Sequence, residues 1–183
     1  MSCFRISLCF VAVLVFTASL VTINSARGQT APAGPSRAEL LTAAREIMAS
    51  ARYAALITTG ANGRLNARAM DPFPPTPEMV IWFGTNPRSR KIRELRRNPR
   101  VTIYYVDPVD RAYVSIHGTA RLVNDPEEKA RRWKDKWKAF YPDRGKSYLL
   151  IAVTPERLEV INVKTGLNGD PITWDPHTVT FRK

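Results

Sequence analysis

Ile81-Trp82-Phe83-Gly84-Thr85-Asn86-Pro87-Arg88-Ser89-Arg90-Lys91-Ile92-Arg93-Glu94-Leu95-Arg96-Arg97-Asn98-Pro99 is the stretch around which the remaining sequence is arranged. A short aromatic strand runs into a turn at Asn86-Pro87, and the helix that follows closes at Asn98-Pro99. Ser89, Arg90 and Lys91 fall at the helix start, where the first backbone N–H groups lack intrahelical partners and the dipole favours anions. A hydroxyl, a planar guanidinium and a compact ammonium at that place suit a phosphate. The same pattern suits a basic helix whose charges simply face water, and local chemistry does not choose between the two.

On the N-terminal side, Tyr53 to Thr59 reads as a strand, and Gly60-Ala61-Asn62-Gly63 supplies residues that tolerate positive φ in a turn. Arg64 to Met70 returns as the second arm of a hairpin, with Leu65, Ala67 and Ala69 on one face and Asn66, Arg68 and Met70 on the other. Asp71 to Pro77 contains Pro72, Pro74, Pro75 and Pro77 and is excluded from any central strand. Met79 to Thr85 is the third strand. Ahead of the hairpin, Ser36 and Glu39 form a capping box, and Leu40, Leu41, Ala44, Ile47, Met48 and Ala51 recur at helical spacing.

Beyond the basic helix, Val101 to Val106 and Arg111 to Val123 read as strands joined by Asp107-Pro108-Val109-Asp110. Tyr113, Ser115 and His117 share a face of the second strand, and Gly118 marks a bulge or a close backbone approach. Asp125-Pro126-Glu127-Glu128 starts a helix, whose Ala130, Trp133, Trp137 and Phe140 form one face suited to core or interface packing. Tyr148 to Val153 and Leu158 to Val163 read as two strands around a turn at Thr154-Pro155-Glu156, and Val179 to Phe181 as a last short one. The expected fold is mainly β, a six- to seven-stranded antiparallel sheet closed into a small barrel with peripheral helices.

A formal net charge of +12 over 183 residues admits nucleic acid, an anionic surface or an anionic small ligand as partner. Residues 1–28 read as a cleavable signal peptide: Arg5 gives the positive start, Leu8 to Val21 the apolar run, and Ala26 and Gly28 the small residues near cleavage. No Arg-Arg pair precedes the apolar run. Residues 29–35 then form a linker and 36–183 the domain. Cys3 and Cys9, the chain's two cysteines, fall inside the leader, so the mature protein lacks thiols and is expected outside the cytoplasm, periplasmic or secreted. With a leader but no nucleic-acid motif, the expected partners are a small molecule and a second copy of the chain. Nucleic acid and stable membrane insertion after cleavage are not expected.

His117 and His177 do not make a spaced metal set, and Walker, dinucleotide-glycine and nucleophile-elbow patterns are absent. Arg68 and Met70 on one strand, Thr85 with Ser89, Arg90 and Lys91 after another, and Tyr113 and Ser115 across the sheet remain as candidates.

Trp82-Phe83-Gly84-Thr85-Asn86-x-x-Ser89-Arg90-Lys91-x-x-Glu94-Leu95-x-x-Asn98-Pro99 resembles the flavin-phosphate segment of the pyridoxamine 5′-phosphate oxidase-like superfamily. The hairpin ending in Arg68-Ala69-Met70, the Trp133/Trp137 and Phe140-Tyr141-Pro142 region, and Gly169-Asp170-Pro171-x-x-Trp174-x-Pro176 resemble its general-stress-protein branch. The resemblance implies a split β-barrel homodimer with FMN at the subunit interface. It implies that Arg90 and Lys91, assisted by Ser89 and Thr85, hold the phosphate. Arg68 and Met70 would follow the ribityl chain and ring, and Trp82, or an aromatic from the partner subunit, would supply a flat slot. True pyridoxamine-phosphate oxidases carry glutamine near Tyr113 and a C-terminal tryptophan-to-arginine segment that this chain lacks, so the resemblance does not extend to vitamin B6 oxidation. It implies a small-molecule oxidoreductase or, alternatively, a non-catalytic protein of the same fold holding haem, a tetrapyrrole, another flavin-like molecule or no cofactor.

Overall fold

The computed structural model describes residues 34–181; the expected leader and linker residues 29–33 lie outside the described residues. Ser36 and Glu39 form the expected capping box, the Ser36 amide donating to Glu39 Oε2 (2.7 Å) and the Glu39 amide to Ser36 Oγ (3.3 Å). The helix they start, α1 (Arg37–Ala51), buries Leu40, Ala43, Ala44, Ile47 and Met48. Leucine, isoleucine and methionine side chains removed from water at this spacing each contribute about 1.5–3 kcal/mol, which is what holds a short helix on a barrel.

Seven strands follow: β1 (Ala54–Thr59), β2 (Leu65–Met70), β3 (Ile81–Thr85), β4 (Arg100–Asp107), β5 (Ala112–Val123), β6 (Leu149–Asn162) and β7 (His177–Thr180). They form one antiparallel sheet in the order β2-β1-β4-β5-β6-β3, with β7 paired to β6. The sheet curls into a half-barrel around Leu56, Ile81, Phe83, Ile103, Ile116, Ile151 and Leu158, all fully buried. The two edges meet only beyond the end of β2, at an isolated bridge between Pro72 and Phe83, where the Phe73 amide donates to the Trp82 carbonyl (2.9 Å). A second helix, α2 (Arg90–Arg97), plugs one end with Ile92 and Leu95.

Two expectations are corrected. Thr154-Pro155-Glu156 is not a turn; β6 runs continuously through it. Opposite it the register slips between His117 and Gly118, so that His117 pairs with Arg157 and Gly118 with Pro155, and the bulge absorbs the proline without ending the strand. The expected aromatic helix also breaks. Helix α3 (Pro126–Arg131) stops at Arg132, a 3₁₀ turn follows at Asp135–Trp137, and α4 (Arg144–Ser147) comes after it. The break frees the Arg132 carbonyl to accept the Tyr148 hydroxyl and lays the Arg132 guanidinium 3.6 Å from the centre of the Trp82 ring. Trp133 and Trp137 then pack edge-to-face on Tyr148 and Phe73 respectively, at 5.3 and 5.4 Å. Packing on the barrel's outer wall outweighs helix continuation.

On β2 the inward residues are Asn66, Arg68 and Met70, while Leu65, Ala67 and Ala69 face outward and are exposed. No helix among the described residues is long and apolar enough to cross a membrane.

Gly118 carries the bulge. A Cβ there would collide with the Thr154 carbonyl oxygen, which is backbone and cannot step aside. Gly118→Ala is expected to cost about 2–3 kcal/mol, read as a lower urea midpoint at an unchanged slope.

Candidate functional site

The Asn86 side chain accepts from the Arg88 amide (2.8 Å), and the Ser89 amide donates to the Asn86 carbonyl (3.0 Å). This turn delivers the chain from β3 into α2 with Ser89 at the helix cap. The Ser89 hydroxyl makes no capping bond to the helix backbone and stands 3.3 Å from the Thr85 hydroxyl. Lys91 reaches back from the first turn and donates to Thr85 Oγ1 (3.0 Å). Burial, then the charge of nearby Arg68, lowers the Lys91 pKa below its ordinary value, and Glu94 only partly compensates. A half-buried ammonium short of negative charge, beside two hydroxyls, is poised for an anion.

These groups border a cleft of about 390 Å³ lined by Ala69, Met70, Asp71, Gly84, Thr85, Asn86, Lys91, Trp137, Phe140 and Tyr141. Its far wall is aromatic, with Trp137 and Tyr141 edge-to-face at 5.8 Å and Phe140 72% exposed. Gly84 permits that wall: a Cβ there would stand 2.5 Å from the Trp137 ring and 2.6 Å from Tyr148. The one carboxylate at the cleft, Asp71, is claimed by Lys134 (2.7 Å) and Lys136 (3.0 Å). Burial pushes its pKa up, but the two lysines more than reverse this and hold it below the usual range.

Arg68 and Arg90 meet at Glu94, not in the cleft. The buried Glu94 carboxylate accepts from Thr58 Oγ1 (2.5 Å), Asn66 Nδ2 (3.0 Å) and Arg68 (2.9 Å), and pairs with Arg90 Nε at 3.2 Å. Arg68 also donates to Thr58 Oγ1 (2.6 Å) and the Leu56 carbonyl (3.2 Å), while the Arg90 side chain is 65% exposed.

Among the expected site residues, Met70, Thr85 and Lys91 thus line the cleft, Ser89 stands beside Thr85, and Arg68 and Arg90 lie behind. Trp82 lies elsewhere, buried under Arg132 with its indole N–H unpartnered among the described residues. Tyr113 stacks on Tyr104 at 5.5 Å on the outer face of the sheet and borders a different cavity with Pro171 and Trp174. Trp137, Phe140 and Tyr141, assigned from sequence to a helical stripe or to family likeness, supply the aromatic wall instead. Their signal was the cluster of rings itself, obscured by reading it at helical spacing.

Residues 40–166, more than half of the chain, match the family described as pyridoxamine 5′-phosphate oxidase like. The chain belongs to that family. It is 27% identical over 88 residues to general stress protein 26 of Bacillus subtilis, a match covering 46% of this chain and 63% of that protein. A Clostridium acetobutylicum protein related to general stress protein 26 of B. subtilis (pyridoxinephosphate oxidase family) superposes with a TM-score of 0.64 at 23% identity, covering 77% of this chain and 94% of its own. A pyridoxamine 5′-phosphate oxidase-related, FMN-binding protein from Nostoc punctiforme gives 0.59 at 16% identity, covering 83% and 99%. The shared architecture is the FMN-binding split barrel.

Glu94 makes the site pH-sensitive. Burial raises its pKa, but the Thr58 hydrogen bond and Arg68 lower it further, leaving it below 4.5. A carboxylate with a depressed folded pKa stabilises fully above its unfolded value, and that contribution is lost as pH falls through the folded one. Glu94→Gln is expected to cost about 3 kcal/mol at neutral pH, because Arg68 loses its buried counter-charge. Urea titrations across the acid range should show this gap between variant and parent narrowing once pH drops below about 4.5.

Proposed function

We propose that this chain is an exported, homodimeric FMN-binding protein that carries out small-molecule redox chemistry. The observation that carries the reading is the cleft itself. It sets a desolvated lysine and two hydroxyls at a helix N-terminus against one end, and an apolar and aromatic wall against the other. That division matches a phosphate joined to a flat ring, and the family to which the chain belongs supports the choice. Bound FMN would supply reversible acceptance of a hydride or of single electrons. Lys91, Ser89 and Thr85 would hold the phosphate, with Arg90 free to turn from Glu94 toward it. Met70, Gly84, Trp137, Phe140 and Tyr141 would receive the ring and keep water from it. Arg68 acts from behind, fixing Glu94 and α2 and adding positive potential.

Homodimerisation is supported by the outer face of the half-barrel. Leu65 (72% exposed), Val106 (53%), Ala67 and Ala69 lie there with half-buried Ile57, Tyr104 and Tyr113, a broad apolar surface for a monomer. Beside it, a loop internally tied by Asp170 and Asp175 holds Ile172 and Trp174 88% and 82% exposed. Export rests on the sequence of residues 1–28 alone.

A second reading is ligand binding without turnover. It is favoured by the engagement of the cleft's carboxylate, since Asp71 is held ionised by two lysines. The absorption spectrum of the purified protein, followed by reduction and reoxidation, separates the two.

FMN titration followed by flavin fluorescence is expected to show saturable quenching. Lys91→Ala should weaken binding about tenfold or more, and the Arg90/Lys91 double alanine variant should abolish it with the fold intact. Binding by the double variant at parental affinity would sink the phosphate assignment. Light scattering should report a dimer that Ala67→Glu, a charge placed on the outer face, converts to monomer.

A further inference from the structure

We infer that a second cavity, between α1 and the proline-rich segment, binds a small amphipathic organic anion. The cavity measures about 560 Å³, larger than the cleft at Lys91. Its walls are Met48, Ala49, Pro72, Phe73, Pro74 and Pro75, and its cationic groups are Arg45, Arg52, Lys134 and Lys136. Asp71 is the only carboxylate bordering it and is already paired with both lysines.

The frame is built rather than incidental. Arg45 donates to the carbonyls of Pro75 (3.3 Å), Thr76 (2.9 Å) and Pro77 (2.8 Å), and Lys134 to that of Pro72 (2.7 Å). The Arg45 bonds tie the proline segment to α1 and fix its course along the cavity. Phe73, packed edge-to-face on Trp137, separates the cavity from the cleft.

Two groups remain unanswered. Tyr105, 1% exposed, borders the cavity, and its hydroxyl has no hydrogen-bond partner among the described residues. Burial raises its pKa, so it remains a protonated donor without an acceptor. Arg52, exposed beyond the end of α1, lies over the Tyr53 ring at 5.2 Å and has no carboxylate partner among the described residues. Apolar walls, a buried donor and an exposed cation with no carboxylate partner together define the ligand class: an apolar body bearing one carboxylate or sulfonate and a second acceptor. The proposal does not depend on flavin binding at the cleft.

The test uses 1-anilinonaphthalene-8-sulfonate, an aromatic monoanion that brightens in apolar surroundings, with FMN absent and then saturating. One saturable site is expected. Ala49 is exposed on α1, so Ala49→Phe should fill the cavity and abolish that site while leaving thermal unfolding unchanged. Tyr105→Phe should weaken the probe about tenfold, one buried hydrogen bond, without lowering the melting temperature of the free protein. A hydroxyl that serves only packing would not give this opposed pair of results. Arg52→Glu should also weaken binding, and it stands in should Ala49→Phe fail to fold. Absence of a saturable site, or parental affinity in Tyr105→Phe and Arg52→Glu, overturns the proposal. So does probe binding that survives in a folded Ala49→Phe protein.

Discussion

One buried carboxylate organises the α2 end of this barrel. Glu94 sits at 5% exposure with donors arriving from β1, β2 and its own helix, so three elements share a single negative charge. Such an arrangement is costly to assemble and costly to break, and it fixes direction as well as position. Because Glu94 draws the guanidinium groups of Arg68 and Arg90 to itself, Lys91 is left to face the cleft with Thr85. The division of labour among three neighbouring cations follows from where one anion is placed.

The strands and the hairpin were legible because their signals are local. Gly60 to Gly63 and Asn86-Pro87 announce turns by residue type, and the Ser36–Glu39 box announces a helix start. The grouping of Thr85, Ser89 and Lys91 was legible for the same reason, since they lie within one turn-and-helix unit. Pro155 misled because a proline in a strand normally ends it; its tolerance depends on the slip at Gly118, a residue far away in sequence. Trp82 misled because an aromatic beside a binding turn suggests a stacking surface. It shares the face of β3 that carries Gly84 and joins the cluster of Trp137, but it packs beneath Arg132 and not along the cleft. Tyr113 faces outward on β5, stacked on Tyr104.

The aromatic wall shows how far a local pattern can be overridden. Trp133 and Trp137 are spaced as helical neighbours, yet the chain abandons the helix at Arg132 to surround Tyr148. The close approach of Trp137 and Tyr148 to β3 is possible only because position 84 has no side chain. Cleft and aromatic cluster are therefore one structure, with Gly84 as the thin partition between them.

The seam of the barrel has a consequence for the protein's life in company. An unpaired strand edge is a template on which other chains add, and both β2 and β3 end at such an edge. Here the rim between them is written in Pro72, Pro74, Pro75 and Pro77, which have no amide proton to offer. Four of the rim's carbonyls, at Pro72, Pro75, Thr76 and Pro77, already accept from Lys134 and Arg45. To an intruding strand this stretch offers few free backbone groups, so the rim between the two edges is a poor template for a further strand.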